Sequence, residues 1–277
     1  MRAKSLIVIA AILLSGALFI GYMYSVAVRD PVVRQAKITM PDWPHGAPPF
    51  RVVLVADVHA GPPDMPPSRV QRIVGQVNAL HPDIVLIAGD FISDKHWRRV
   101  PDLSEAITAL RRLRPSLRTY AVLGNHDHWR GLTEVRIALQ EAGVVLLTNH
   151  AAQVGPLSLG GVDDAFTGHD NVPATVAAMR RLPGSRVLLT HSPDVSPFVP
   201  NDVTLILSGH THCGQISFPL IGALYYESRY DGRFGCGVSS AGGAKRVITS
   251  AGLGTSMLPL RLGAVPDLWL LTLGPAR

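Results

Sequence analysis

The residue types best suited to binding metal ions occur in five short polar groups along this 277-residue chain. Each group directly follows a short apolar run that is typical of a β-strand. Any one group is weak evidence, because Asp-x-His pairs and Gly-Asp turns are common in ordinary loops. Five such groups predict a metal centre, because sites in open α/β sheets form at the carboxyl ends of the strands. The groups are Asp57-Val58-His59, Gly89-Asp90, Gly124-Asn125-His126-Asp127, His191 and Gly209-His210-Thr211-His212.

The donor atoms in these groups are imidazole nitrogens and carboxylate or amide oxygens. Such a mixed set suits Mn, Fe or Zn, and the sequence does not separate these three metals. The chain has only two cysteines, Cys213 and Cys236, which excludes a four-thiolate zinc site and a disulfide-stapled scaffold. The net charge of +6 favours an anionic partner, such as a phosphate ester, an anionic membrane surface or nucleic acid.

The elements that must position these groups alternate between strand and helix. Continuous apolar runs such as residues 84–88 suit a sheet that is covered on both faces. Residues 68–80 instead place apolar side chains at helical spacing. The sequence therefore predicts an α/β domain with mixed sheets. The predicted strands are 51–56, 84–88, 118–123, 144–147, 157–162, 186–190, 203–207, 247–251 and 268–273, and the predicted helices are 68–80, 103–113, 132–142 and 172–182.

An uncharged stretch of 24 residues, from Ser5 to Val28, precedes this domain. As a helix it would span about 36 Å, which exceeds the hydrocarbon core of about 30 Å. We therefore predict a transmembrane anchor over residues 1–28 and a single-pass protein of the cytoplasmic (inner) membrane. A cleaved signal sequence is the alternative, with a cleavage site at Ser25-Val26-Ala27. Basic residues flank both ends, so the side that carries the domain stays open.

Residues 29–49 are predicted to form a linker. Pro41, Pro44, Pro48 and Pro49 can neither continue a helix nor lie in a central strand. The globular domain then covers residues 50–277, which is enough for one large core. The composition, 47% hydrophobic and 17% charged, excludes a disordered chain.

The five polar groups together resemble the signature blocks of the calcineurin-like metallophosphoesterases. The resemblance covers residues 50–277 and implies the family fold, a four-layer αββα sandwich of two mixed β-sheets flanked by helices. It also implies two divalent metal ions and hydrolysis of a phosphodiester or pyrophosphate bond by a metal-bridging hydroxide. Two ions about 3.5–4 Å apart can clamp a phosphate and lower the pKa of a shared water, so this chemistry is physically coherent.

The resemblance also implies a role for each residue. His126 is similar to the family's non-ligand histidine, which faces the scissile phosphate and can protonate the leaving alkoxide. Asp90 and His126 are therefore the predicted catalytic residues, and Asp90 is also the predicted bridge between the metals. The ligands implied for the first metal are Asp57, His59 and His212, those for the second are Asn125, His191 and His210, and Asp90 binds both.

Two positions depart from the family pattern. In the phosphoprotein phosphatases the second block carries an aspartate that orients the catalytic histidine; here Ser93 stands at that place and Asp94 comes one residue late. This departure weakens a protein-phosphatase interpretation. In the last block Cys213 replaces a glycine, and we expect a small buried thiol there. A disulfide with Cys236 is the alternative in an oxidising compartment.

One branch of the family fits better than the others. The N-terminal segment, His191-Ser192-Pro193-Asp194 and the Gly-Gln-Ile that follows Cys213 look like the membrane-anchored metallophosphoesterases. That resemblance implies a lipid-linked or nucleotide-linked substrate such as UDP-2,3-diacylglucosamine, a precursor in lipid A synthesis. Two segments, Trp97-Arg98-Arg99 and residues 218–233, mix apolar and basic side chains that suit a lipid tail and a phosphate, although ordinary loops look the same.

Two other functions remain open at this stage. A phosphomonoesterase of small molecules or proteins would use the same metal chemistry. A non-catalytic scaffold would keep the fold but lose a ligand or the catalytic histidine, and this sequence lacks none of them. We expect the membrane as a partner and no nucleic acid, because no nucleic-acid-binding motif is present. The sequence predicts no oligomeric state.

Overall fold

Fourteen strands lie in the part of the chain that the structure describes. The computed structural model describes residues 2–93, 95, 107–223 and 225–275. In chain order the strands within these residues are β1 (Val32–Thr39), β2 (Phe50–Val55), β3 (Ile84–Ala88), β4 (Thr119–Val122), β5 (Val145–Leu146), β6 (His150–Val154), β7 (Leu157–Gly161), β8 (Ser185–Leu189), β9 (Leu205–Ser208), β10 (Ser217–Phe218), β11 (Gly222–Ala223), β12 (Gly237–Ser240), β13 (Arg246–Thr249) and β14 (Asp267–Gly274).

Twelve of these strands form two mixed sheets of six strands each. Their orders are β1-β14-β2-β3-β4-β5 and β12-β13-β9-β8-β7-β6, while β10 and β11 form a separate antiparallel hairpin. In the first sheet β2, β3 and β4 are parallel neighbours, and in the second β8 and β9 are parallel neighbours. Parallel neighbours end at the same edge of a sheet, so each sheet gathers several strand ends in one place.

The described helices flank the two sheets. The α2 and α4 helices pack on the outer face of the first sheet, and α5 packs on the outer face of the second. Together with the two sheets they make the four layers that the family resemblance implied, and the predicted αββα sandwich is confirmed. The α-helices are α1 (Arg2–Val28), α2 (Pro67–Ala79), α3 (Asn125–Arg130), α4 (Leu132–Glu141) and α5 (Val172–Met179), and the 3-10 helices are Ala109–Arg112, Pro193–Phe198, His212–Gly214 and Asp231–Arg233.

The β2 strand shows why the central strands read as continuous apolar runs. Val52 and Leu54 point into the core between the sheets, whereas Val53 and Val55 point into the core under the helices. Both faces of the strand are buried, so no polar residue alternates with the apolar ones. Each such side chain contributes about 1.5–3 kcal/mol through burial, and the strand end is therefore held firmly.

The predicted linker is wrong for part of its length. Residues 32–39 form β1, which pairs in parallel with β14 over eight residues and belongs to the first sheet. Ile38 and Met40 are buried against the same core. The prolines that suggested a linker all lie after this strand, at positions 41–49. An edge strand with exposed polar positions gives a weak sequence signal, because only part of it faces a core.

The predicted helix at 103–113 lies partly outside the described residues. Its described end forms the 3-10 helix Ala109–Arg112, with Ala109 and Leu110 buried. Leu110 and Leu113 join the core under the helices, beside α2. The described end of the predicted helix is therefore helical, as a 3-10 turn.

Within the described part of the chain, one helix is long and apolar enough to cross a membrane, over Lys4–Val28. Most of its side chains are exposed. Its last turns are different, because Met23, Val26 and Ala27 are buried against the domain. The length and composition match the predicted anchor, and the end of the helix is packed into the globular part.

Candidate metal centre

Five strand ends carry the predicted ligands to one point where the edges of the two sheets meet. The ends of β2, β3 and β4 supply them from the first sheet, and the ends of β8 and β9 supply them from the second. Every one of these side chains is buried, with at most 5% of its surface exposed. The ligands brought together are Asp57, His59, Asp90, Asn125, His191, His210 and His212.

The first predicted ligand group is built around two parallel imidazoles. The Nε2 atoms of His59 and His212 lie 3.1 Å apart, and their rings stack with centroids 5.0 Å apart. Asp57 Oδ1 lies 4.0 Å from His212 Nε2. All three side chains offer a donor atom within 4.8 Å of the others, a separation that a single ion can bridge.

The second predicted ligand group converges equally closely. His191 Nε2 lies 3.0 Å from Asn125 Oδ1 and 3.0 Å from His210 Nδ1. The other ring nitrogen of His191 lies 2.7 Å from the carbonyl oxygen of Ala88, to which an Nδ1–H donates. Such a bond fixes the ring orientation and leaves Nε2 available, the usual arrangement of a metal-bound histidine.

Asp90 lies between these two groups. Its Oδ2 atom is 3.5 Å from Nε2 of His59 in the first group and 3.3 Å from Nε2 of His191 in the second. Its Oδ1 atom accepts the backbone N–H of His126 at 3.0 Å. A carboxylate in this position can contribute to both groups, and the family resemblance implies that role for it.

The backbone around the site is held in an uncommon conformation. Five of the seven ligand positions have positive φ angles, between 43° and 70°. Residues other than glycine adopt this region only rarely, and such strain concentrates at functional sites. The five residues are Asp57, His59, Asp90, His210 and His212.

Two glycines allow the chain to pass directly against Asp57. A Cβ atom at Gly209 would lie 2.5 Å from Asp57 Oδ2, and one at Gly252 would lie 2.6 Å from Asp57 Cβ. The backbone N–H of His210 donates to Asp57 Oδ1 at 2.9 Å across this close approach. The glycine before His210 is therefore required for space, in order to bring the second sheet onto the Asp57 carboxylate.

The electrostatics of the site suit neutral imidazole ligands. Burial lowers the pKa of His59 and His212 well below the ordinary value and lowers that of His210 to about 3. Metal ions bind the neutral form of histidine, so these three rings carry no proton that an ion must displace.

His191 behaves differently because it lies between carboxylates. Burial opposes its protonation, but the neighbouring Asp90 and Asp57 outweigh burial and raise the pKa of His191 to about 10. Burial likewise disfavours ionisation of Asp90, but His191 and His126 hold the pKa of that carboxyl well below its usual value. The buried carboxylates of Asp90 and Asp57 thus favour a positive charge between them, and a divalent cation would supply that charge. The donor set, its burial and its charge all fit bound metal ions.

Comparison with known proteins decides the family. The family model described as calcineurin-like phosphoesterase matches residues 50–214, which include every predicted ligand. This chain belongs to the calcineurin-like metallophosphoesterases. The family consists of phosphoester hydrolases, and the predicted membership is confirmed.

Several curated relatives are similar to this metallophosphoesterase. A putative metallophosphoesterase of Caenorhabditis elegans is 31% identical over 236 residues, which cover 77% of this chain and 48% of that protein. A transmembrane protein with metallophosphoesterase domain from Danio rerio is 30% identical over 255 residues, covering 86% of this chain and 56% of that protein. Phosphodiesterase YaeI of Escherichia coli is 29% identical over 235 residues, covering 82% and 83%. This chain spans about half the length of the first two relatives.

Asp127 positions the metallophosphoesterase site, although the sequence analysis gave it no role. Its carboxylate accepts backbone N–H groups from Gly124 at 2.9 Å, Asp90 at 3.0 Å and Phe91 at 2.9 Å. These bonds tie the loop after β3 to the loop after β4. The signal in the sequence was its place beside His126 in the third polar group.

Arg261 is a second residue that the sequence analysis left without a role. Its guanidinium is fully buried and donates to the carbonyls of Ala251, Gly252 and Ala264. Nη2 also lies 3.2 Å from Nδ1 of His212, so this cation contacts the first ligand group on the side of the His212 ring that is opposite Nε2. Its backbone N–H donates to the carbonyl of Met23 in α1 at 3.1 Å. Arg261 thus links the end of the apolar helix to the site.

The prediction of a free thiol at Cys213 is wrong. Cys213 and Cys236 form a disulfide, with Cα atoms 4.7 Å apart. The bond fixes the residue directly after His212 to the loop that precedes β12. The sequence left this pairing open because 23 residues separate the cysteines and only the fold brings them together.

His126 faces an aromatic side of the site. Its Nε2 atom lies 3.9 Å from Asp90 Oδ2, and its ring contacts Trp129 edge-on with centroids 5.1 Å apart. Trp129 contacts Phe166, and Phe166 in turn contacts the His210 ring. Trp129 and Phe166 are exposed, so they form an apolar wall beside the ligands.

Two predicted features lie outside the described residues. They are Asp94, which the sequence placed near the position of an orienting aspartate, and Trp97-Arg98-Arg99, predicted to border the substrate. Ser93, which stands at the aspartate position itself, is described and buried, and its hydroxyl accepts the backbone N–H of Lys95.

Proposed function

We propose that this protein is a two-metal phosphodiesterase or pyrophosphatase. The observation that carries the proposal is the position of Asp90 Oδ2, within 3.5 Å of a histidine nitrogen from each ligand group. A single carboxylate shared by two groups suits a pair of ions better than one isolated ion. The relative named phosphodiesterase YaeI supports the same reaction class.

Each residue has a distinct task in this proposal. Asp57, His59 and His212 would hold one ion, Asn125, His191 and His210 would hold the other, and Asp90 would contribute to both. When bound, the two ions supply Lewis-acid charge and an activated water. Asp127 and the Ala88 carbonyl fix the orientation of Asp90 and His191.

His126 acts on the leaving group in this proposal. It is buried at the edge of the ligand cluster, and its Nε2 atom is directed toward the same region as Asp90 Oδ2. A proton on Nε2 can pass to the oxygen that leaves phosphorus, which removes the need to expel a free alkoxide.

The proposed substrate is lipid-linked. The apolar helix α1 and a relative named as a transmembrane protein support a single-pass membrane protein whose domain works at the bilayer. UDP-2,3-diacylglucosamine, which the family branch implies, combines a pyrophosphate with two acyl chains and is the first compound to test. A monoester is the competing substrate class.

We place the domain on the oxidising side of the inner membrane. A disulfide such as Cys213–Cys236 persists in oxidising compartments and is rare in the cytosol. Retention of residues 1–28 follows from the same proposal, since Val26 and Ala27 of the alternative cleavage site are buried against the domain. Protease treatment of intact spheroplasts tests the side of the membrane, and the mass of the chain purified from untreated cells tests retention. Digestion in the first and a full-length mass in the second support the proposal, whereas protection or a shortened chain contradicts it.

A metal-dependent assay tests the reaction. The full chain is stripped of metal in detergent, reloaded with Mn²⁺, Zn²⁺ or Fe²⁺, and assayed with bis-p-nitrophenyl phosphate, p-nitrophenyl phosphate and UDP-2,3-diacylglucosamine. We expect the diester or the pyrophosphate to be cleaved faster than the monoester. Hydrolysis with none of the metals would overturn the proposal, and a faster monoester reaction would establish the competing class.

Asp90→Asn is the decisive variant in that assay. Loss of an outer-shell partner already costs about 10–100-fold, so loss of the shared carboxylate should lower activity by about 100-fold or more. Asp163→Asn is the matched control: this buried aspartate bonds His128 outside the ligand groups, and asparagine keeps the accepting oxygen. Unchanged activity of Asp90→Asn would exclude the two-metal proposal.

A further inference from the structure

The end of the apolar helix α1 is built into the domain and gives the domain a fixed height above the membrane. Besides the Arg261–Met23 bond, the Tyr24 hydroxyl donates to the Pro63 carbonyl at 3.3 Å, and Arg69 donates to the Arg29 carbonyl at 2.7 Å. Pro63 and Arg69 lie in and just after the loop that leaves the metal-ligating end of β2. The domain is therefore docked directly on the helix, at the side that carries the site.

Helix geometry sets the depth of this docking. A hydrocarbon core of about 30 Å takes up about 20 helical residues at 1.5 Å each. Counted from Lys4, where the apolar span begins, the core ends near Met23. Tyr22 and Tyr24 flank that position, which is typical of the membrane interface. The backbone of Arg261, bonded to Met23, therefore lies at the boundary between acyl chains and headgroups.

Exposed apolar side chains lie beside this boundary in two loops. Met257 and Leu258, three to four residues before Arg261, are 76% and 57% exposed. Leu220 and Ile221, at the tip of the β10–β11 hairpin, are also exposed, with 73% for Ile221. We call these four side chains the apolar rim. Residues 213–226 and 250–260, which contain the rim, include no Asp, Glu, Lys or Arg.

Hydrogen bonds join the two loops into one surface. The Gln215 side chain donates to the carbonyls of Ser256 at 3.0 Å and Leu258 at 3.2 Å, and it accepts the N–H of Ser256 at 2.9 Å. The N–H of Ser217 donates to the Leu262 carbonyl at 2.7 Å. The hairpin base therefore cannot separate from the loop that is bonded to α1.

The same surface borders the metal centre. Gln215 comes three residues after His212, and Arg261 lies 3.2 Å from the His212 ring. The end of α1, the apolar rim and the first ligand group are thus connected through Gln215, Arg261 and His212. An exposed, uncharged apolar surface that continues a membrane span is suited to acyl chains, because burial of such side chains is favourable and no charge has to be desolvated.

We propose that the apolar rim inserts into the membrane leaflet on the domain's side and holds the metal centre at the depth of the lipid phosphates. The occupant of this surface is the bilayer itself, and the substrate class is a phosphodiester or pyrophosphate whose acyl chains stay in that leaflet. This inference rests on the proposed function for its substrate, whereas the insertion of the rim stands on the anchor geometry alone.

Spin labels on the full chain test the insertion. Ile221→Cys and Leu258→Cys are labelled with a nitroxide without reductant, because both native cysteines are paired. Leu117→Cys is the matched control, an exposed leucine that precedes β4 at the opposite edge of the sheet. In vesicles of phosphatidylethanolamine and phosphatidylglycerol, labels at 221 and 258 should lose collisions with a water-soluble nickel chelate and gain collisions with oxygen. Labels as accessible to nickel as the label at 117 would overturn the proposal.

Kinetics provide the second measurement. In the full chain, Met257→Ser combined with Leu258→Ser should raise the KM for a membrane-embedded p-nitrophenyl ester of phosphatidic acid about tenfold, since two apolar contacts with lipid are lost. Hydrolysis of soluble bis-p-nitrophenyl phosphate should be unchanged, and Leu117→Ser should change neither. An equal loss on both substrates would indicate a structural effect and contradict the proposal. If the protein cleaves neither the soluble diester nor UDP-2,3-diacylglucosamine, the proposed function is overturned, while the spin labels still decide the position of the rim.

Discussion

The Nε2 atom of His126 lies 3.9 Å from Asp90 Oδ2, yet the proposed mechanism gives these two residues different tasks. If His126 is the proton donor, His126→Gln should keep both metal ions and lose about 10²–10⁴-fold in kcat. The loss should be largest for substrates with a poor leaving group, such as an alkyl alcohol, and small for p-nitrophenol, which leaves without a proton. Metal content measured beside kcat for both kinds of diester checks this prediction. A fall in bound metal would instead identify His126 as a ligand.

Gly209 offers a test of the close approach to Asp57. In Gly209→Ala the added methyl group would lie 2.5 Å from Asp57 Oδ2, so the loop or the carboxylate has to move. We expect a loss of about 1–3 kcal/mol in the free energy of unfolding, together with weaker metal binding. Urea unfolding with and without metal measures both.

Gly75 provides the matched control with the opposite sign. It lies in the interior of α2, and a Cβ atom there meets no neighbour within 4 Å. Gly75→Ala should stabilise the protein by about 0.5–1 kcal/mol, because alanine is the better helix former. A Gly209→Ala protein as stable and active as the parent would show that the loop has room to spare.

The five polar groups could be found in the sequence because each comes directly after an apolar strand, and the family resemblance then implied which seven of their residues are ligands. The tasks of Asp127 and Arg261 could not be found in this way, because they depend on what the fold brings to them. Asp127 accepts N–H groups from two different loops, and Arg261 lies 49 residues from His212 in the chain. A lone arginine among apolar residues carries no local signal of that contact.

At the scale of elements, β1 should prove essential to the domain. A chain that begins at residue 50 lacks this strand, leaves one edge of β14 without its partner over eight residues and uncovers the core at Ile38 and Met40. Loss of two such buried side chains costs about 3–6 kcal/mol, which lowers the melting temperature by at least about 6 °C in a domain of this size.

Thermal unfolding of residues 29–277 and residues 50–277, followed by circular dichroism, checks this expectation. Both fragments lack α1, so the difference between them reports on residues 29–49 alone. Equal melting temperatures would show that residues 29–49 act only as a linker.

The predicted strands that matched best are the central ones. Residues 84–88 were predicted with the bounds that β3 has, because both faces of this strand are buried and all five residues are apolar. Strands β1, β6 and β12 lie at the edges of the sheets, where at most two positions of each strand are buried. Their pattern reflects one packed face and solvent on the other sides, so it resembles that of a loop.

At the scale of the whole molecule, bound metal should join the two sheets. The first sheet supplies Asp57, His59, Asp90 and Asn125, whereas the second supplies the other three histidines. Ions that bind only the folded protein stabilise it by about 2.7 kcal/mol at 100 times Kd, which corresponds to about 5–10 °C in melting temperature.

Treatment with a chelator should therefore lower the melting temperature, and Mn²⁺ or Zn²⁺ should restore it. The Asp90→Asn variant serves as the control, because its melting temperature should respond weakly to either treatment. If the parent protein melts at the same temperature with and without metal, the ions do not link the sheets.

The sandwich as a whole came from the resemblance of the five polar groups to a family, since alternating strands and helices alone predict only mixed sheets. Which strands are neighbours depends on long-range pairing, such as that of β1 with β14, more than 200 residues apart. The disulfide remained only an alternative in the sequence analysis, because its cysteines are 23 residues apart and the fold brings them together.

The direct docking of α1 on the domain has a kinetic consequence. On a flexible tether, the metal centre of an enzyme would move through a range of heights above the membrane. Here the bonds at Met23, Tyr24 and Arg29 keep the metal centre at one height, so it moves only in the plane of the membrane. Encounters then occur by lateral diffusion in two dimensions. Turnover of an embedded substrate should follow its mole fraction in the leaflet, so diluting it with inert lipid at constant bulk concentration should slow the reaction in proportion.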